Sequence, residues 1–73
     1  MILETRNVVT NFGSQVTQTF VKVGDRILCH YDSYFQILVL PSEKTDSGYE
    51  ITSYCEVEDY GLIDKVKDIV NDK

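Results

Sequence analysis

The stretch that decides the fold is Tyr49-Glu50-Ile51-Thr52-Ser53-Tyr54-Cys55-Glu56-Val57-Glu58, followed at once by Asp59-Tyr60-Gly61-Leu62-Ile63-Asp64-Lys65-Val66-Lys67-Asp68-Ile69-Val70. In its first half Tyr49, Ile51, Ser53, Cys55 and Val57 occupy one row of an alternation, and Glu50, Thr52, Tyr54, Glu56 and Glu58 the other. Successive side chains of a strand point to opposite faces, so this pattern predicts a strand with one inward row and one acidic outward row. From Asp59 the period changes. Leu62, Ile63, Val66, Ile69 and Val70 recur at the spacing of an amphipathic helix. Asp59 is the expected N-cap of a helix over about residues 60–71. Gly61 in its first turn costs about 1 kcal/mol of propensity.

Upstream of this unit the chain reads as short β-rich runs separated by turn residues. Strands are expected over about 2–10, 15–23, 26–31 and 34–40, with the fifth over 49–58. Asn11-Phe12-Gly13-Ser14 supplies the first turn. Gly24-Asp25 supplies a hairpin turn whose residue order favours type II′. Asp32-Ser33 marks a further turn or a bulge, and Pro41, which has no N–H, is expected to end the fourth strand. Residues 42–48 then form a polar loop. In the second strand the rows Val16, Gln18, Phe20, Lys22 and Thr17, Thr19, Val21, Val23 are nearly balanced, so neither is singled out as the inward one. The expected architecture is a single α+β domain: a small antiparallel sheet of about five strands, strongly curled or barrel-like, with one C-terminal amphipathic helix on one face.

The segment Val21-Lys22-Val23-Gly24-Asp25-Arg26-Ile27 resembles the strand–Gly-Asp–strand turn of small SH3-like barrels. The resemblance covers about a tenth of the chain and carries no functional residue with it.

A chain of 73 residues buries only about 60% of the surface its unfolded form exposes, so the core is thin. No apolar run approaches the roughly 18 residues that span a bilayer, and the first residues lack the pattern of a signal peptide. A cytoplasmic location is expected, with both cysteines reduced. The net charge is −5. Residues 1–42 carry three acids and three bases, whereas residues 43–73 carry nine acids and four lysines, so all of the excess lies in the second half. That disfavours direct contact with a nucleic-acid backbone or an acidic membrane, and favours a basic protein surface as partner.

No metal or cofactor is expected. A structural zinc site needs four ligands, and Cys29, His30 and Cys55 are the only soft candidates. Cys29 and His30 point apart on a strand, which also disfavours a Cys–His nucleophile pair. Both thiols fall in rows with apolar neighbours and are expected to be buried structural residues. No phosphate-binding glycine loop and no nucleophile elbow is present. A non-enzymatic protein is expected.

Two surfaces remain for binding. The first is acidic: Glu50, Glu56 and Glu58 on the strand, Asp59 at the helix start, and Asp64 and Asp68 on the helix, with Tyr54 and Tyr60 among them. A row of carboxylates can imitate the phosphates of a nucleic acid, and tyrosine anchors partners at low entropic cost. The carboxylates equally serve solubility alone. The second is apolar. Tyr34, Leu38 and Leu40 form the second apolar row of the 34–40 segment, and one helix covers only one sheet face. Either the sheet curls over that row, or a second copy or a host protein covers it.

The function expected from these features is that of a small acidic binding protein. It would be a phage or mobile-element inhibitor that blocks a basic nucleic-acid-binding surface of a defence or transcription protein, in the manner of anti-CRISPR proteins. The alternative is a structural or regulatory interaction module acting through the apolar strand, with a host protein or as a homodimer.

Overall fold

A computed structural model describes residues 1–72. Five strands, β1 (Ile2–Val9), β2 (Gln15–Val23), β3 (Arg26–Ser33), β4 (Ile37–Thr45) and β5 (Gly48–Ile51), precede one helix, α1 (Tyr60–Asn71). The strands form one antiparallel meander in the order β1-β2-β3-β4-β5, so every strand pairs with its neighbour in sequence. The sheet curls into a half-barrel, with α1 packed on its outer face.

The two rows of β2 both face a core, which is why neither stands out in the sequence. Val21 meets Leu28 across the β2–β3 ladder, and Val39 follows in β4. All three are fully buried against Leu62, Ile63 and Val66 of α1. The other row turns into the curl. There Phe20, Cys29 and Leu40 are fully buried, with Leu3, Tyr49 and Ile51 closing over them from the outer strands. The concave face is thus covered by curling within one chain.

β2 and β3 are joined by Gly24 and Asp25 alone. Gly24 has φ +63°, while no described residue other than glycine takes a positive φ, which is the type II′ arrangement.

The β1 and β5 edges do not pair. Arg6 bridges them: its Nη2 donates to the Tyr49 carbonyl at 2.9 Å, its Nε donates to Gln18 Oε1 at 3.0 Å, and its guanidinium lies 4.7 Å from the Phe20 ring centre. Tyr49 stacks on the same Phe20 at 5.7 Å. One side chain therefore joins the first strand to the last across the interior.

Three local readings of the sequence are corrected. Tyr34, Phe35 and Gln36 belong to the β3–β4 turn, which Ser33 holds by donating from Oγ to the Gln36 carbonyl at 2.8 Å. The segment expected as a polar loop after Pro41 is the end of β4 and a tight hairpin into β5. The fifth strand stops at Ile51, and residues 52–58 run as an irregular connector.

The reason for that stop is Pro41, which lies inside β4 and opposite Leu28. Its carbonyl accepts from the Thr52 backbone at 2.9 Å and from the Thr52 hydroxyl at 3.0 Å. Backbone N–H and C=O of one strand residue point to the same side, so the return bond would have to come from the nitrogen of Pro41, which carries no hydrogen. Pro41 ends the pairing of its neighbour and leaves its own strand intact.

Candidate functional site

The acidic residues divide by local structure into those that hold the fold and those that do not. Beyond Ile51 the connector follows the edge of β4 without forming a ladder. Val57 N donates to the Val39 carbonyl at 3.0 Å, and Val39 N donates to Glu56 Oε2 at 3.1 Å. The carboxylate of Glu56 replaces the missing strand carbonyl, so Glu56 serves the sheet edge. Asp59 accepts from Leu62 N at 3.2 Å through Oδ1 and caps the helix. Capping costs Asp59 no exposure but commits one of its carboxylate oxygens.

The remaining carboxylates are uncommitted. Glu50 faces Glu43 across the β4–β5 ladder, on the side of the sheet that bears the helix. Like charges directly opposite each other weaken a hairpin. Glu58 precedes the cap, and Asp64 and Asp68 stand one turn apart on the outer side of α1; all are exposed. The single ion pair among the described residues joins Arg6 to Glu4 at 3.7 Å, and both project from β1 towards the concave face. Glu50, Asp64 and Asp68 thus lie on the helix-bearing side, with Glu58 at the entry to the helix, and no ion pair draws off their charge.

The tyrosines differ in setting. Tyr60 is exposed at the first turn of α1, next to the acids. Tyr54 lies in the connector and meets Tyr31 edge-on at 6.2 Å, near the other face of the sheet. It does not share one surface with the helix carboxylates.

The apolar set separates in the same way. Leu40 is 0% exposed in the concave core and offers no contact surface, while Leu38 is half-buried there. Tyr34 is 87% exposed and packs edge-to-face on Phe35 at 5.2 Å. The neighbouring residue Phe12, in the β1–β2 turn, lines one groove with Phe35 and Tyr31 and is 95% exposed. Phe12 and Phe35 escape a reading based on strand alternation, because they stand in turns. Their signal is a large aromatic inside a run of turn residues.

The soft ligands are not brought together. Cys29 is buried in the concave core, and burial pushes its thiol up to about 12, which keeps it protonated and unreactive. His30 faces the helix side; burial lowers its pKa, with Asp32 acting to raise it and Lys67 to lower it. Cys55, expected to be buried, is exposed in the connector, because the strand that would have carried it inward ends at Ile51.

The structural role of Glu56 has a measurable consequence. Glu56→Ala removes the acceptor for an edge N–H and is expected to cost about 1–2 kcal/mol in denaturant unfolding, with faster exchange of the Val39 amide. Glu58→Ala is expected to stay within about 0.5 kcal/mol of the parent.

No helix among the described residues is long and apolar enough to cross a membrane. Comparison with protein-family models, with curated proteins and with solved structures finds no match to this chain.

Proposed function

We propose that the chain is a small non-enzymatic binding protein whose acidic helix-bearing side occupies a basic surface of another protein. In its most concrete form it is an inhibitor carried by a phage or other mobile element. It would block the nucleic-acid-binding surface of a defence or transcription protein, as anti-CRISPR proteins do. One observation supports this above the others: Glu50, Asp64 and Asp68 are exposed on the helix-bearing side, Glu58 is exposed at the helix entry, and none of them forms an ion pair. A face of unpaired carboxylates attracts a basic surface at long range and loses that attraction as salt screens it.

The test is competition with DNA or RNA for basic nucleic-acid-binding proteins of the host, across a salt series. The double variant Asp64→Lys, Asp68→Lys is expected to lower competition at least about tenfold, a loss of about 1.4 kcal/mol. Both positions are exposed and make no side-chain hydrogen bond, so the fold is retained. Unchanged competition and unchanged salt dependence in that variant would reject the acidic surface.

A second reading, an interaction module working through apolar surface, draws on the exposure of Phe12, Tyr34 and Phe35 at two adjacent turns. Salt-insensitive partner binding that is abolished by Phe35→Ser would favour it.

A further inference from the structure

The sheet face beneath α1 changes character along the strands. Near the Gly24 turn it is apolar, and Val21, Leu28 and Val39 seal it against the helix. Two residues further along the same rows stand Thr19 on β2 and His30 on β3, paired directly across the ladder, and then Thr17 opposite Asp32. The last turns of α1 stand over this polar half without filling it. A cleft of about 580 Å³ remains, with Lys67 and Val70 on the helix side and Ile37 on the strand side.

His30 is 6% exposed and Thr19 is 5% exposed. Neither the imidazole nor the Thr19 hydroxyl forms a hydrogen bond to any described side chain or backbone group. No fully occluded side-chain nitrogen or oxygen among the described residues lacks a partner, so these polar atoms open onto the cleft. Polar atoms that open onto a cleft bond to water there, and a ligand that displaces this water must offer matching groups.

Charge narrows what that ligand is. Asp32 and Lys67 line the same cleft and carry opposite charge, yet do not pair with each other. Both line the cleft beside His30, with Asp32 acting to raise and Lys67 to lower the pKa of its imidazole. An inorganic anion would be repelled by Asp32, and a metal ion by Lys67. A molecule that carries a cation and an anion on adjacent atoms satisfies both. The rest of the wall is mixed: Ile2, Ile37 and Val70 give it an aliphatic part, beside Thr5, Thr17 and Asn71.

We propose that this cleft binds a free α-amino acid with an aliphatic side chain. Its ammonium group faces Asp32, and its carboxylate faces Lys67, the Thr19 hydroxyl and the ring of His30. Its side chain rests on Ile37 and Val70. The site lies on polar groups that the acidic-surface reading does not use, and stands independently of it.

His30 is the only histidine in the chain, so its ring carbon–proton resonances report on the cleft without ambiguity. The full chain is titrated with L-valine, L-leucine and L-isoleucine, and separately with acetate and methylammonium, which carry the two charges on different molecules. The expected result is a saturable shift of the His30 ring signals with at least one of the amino acids at millimolar concentration. Acetate and methylammonium are expected to bind at least about tenfold more weakly, because each leaves one charge of the cleft unmatched. Asp32→Asn and Lys67→Met are each expected to weaken amino-acid binding about tenfold or more, with the amide signals of Phe20 and Cys29 unmoved. The proposal is overturned if none of the three amino acids gives a saturable shift, if acetate alone reproduces it, or if both variants bind like the parent.

Discussion

Replacing Phe20 by alanine is expected to cost about 3–5 kcal/mol, the largest effect of any single truncation in this chain. Phe20 is fully buried at the centre of the concave core and touches all three means by which the half-barrel is held together. Tyr49 of β5 stacks on its ring, Arg6 of β1 lies over the ring, and Cys29 faces it across the β2–β3 ladder. A domain of this length is stable by roughly 4–11 kcal/mol in all, so such a loss removes a large part of the total. The measurement is the urea midpoint, with Phe12→Ala as the matched control. Phe12 is the same residue type at 95% exposure, and its removal is expected to change stability by no more than about 0.5 kcal/mol. Equal effects of the two substitutions would contradict the placement of Phe20.

Arg6→Ala is expected to cost about 2–3 kcal/mol, and to do so unevenly over the molecule. The guanidinium donates to the Tyr49 carbonyl and to Gln18, which is itself buried at 7% exposure and loses its partner in the variant. The Glu4 contact is exposed on both sides and adds little. Because Arg6 is the described side-chain link between β1 and β5, its loss should release the short β5 first. Hydrogen exchange is expected to accelerate at Tyr49–Ile51 well before it does in β2 and β3. Arg6→Met separates the causes: it keeps most of the stem that covers Phe20 but none of the donors. If exchange in β5 stays at the parental rate in Arg6→Ala, the bridge does not hold the curl.

Much of this fold can be read from residue patterns, and the places where reading fails have a common physical cause. The helix announces itself because Leu62, Ile63, Val66 and the capping Asp59 are all set by spacing within one element. The Gly24-Asp25 turn does so through its own backbone requirements. Both are local. By contrast, the end of β5 depends on Pro41, ten residues earlier and on a different strand, so the alternation from Thr52 to Glu58 reads as a strand that the chain does not form. The apparent acidic row breaks up for the same reason. Glu56 turns back to the β4 edge, while Tyr54 and Cys55 leave the faces that alternation assigns them. The concave core was legible as one of two choices, since the apolar row of Leu38 and Leu40 called either for curling or for a partner, and curling covers it. The helix carboxylates Asp64 and Asp68 required only the helix itself, and they stand on its exposed side.

The strictly sequential order of the strands also shapes how the molecule assembles. Each ladder joins neighbours through a connection of a few residues, so each hairpin closes at little entropic cost and can form without waiting for distant parts of the chain. The links between remote segments are the docking of α1 on β2 and β3, the reach of Arg6 to Tyr49 with the Tyr49 stack on Phe20, and the bonds that tie Glu56 and Val57 to Val39. The β2–β3 hairpin closes through two residues and contributes to both cores, which makes it the natural nucleus. The terminal strand and the helix then arrive on a surface already built, and an intermediate lacking β5 and the Arg6 bridge would already contain most of the sheet.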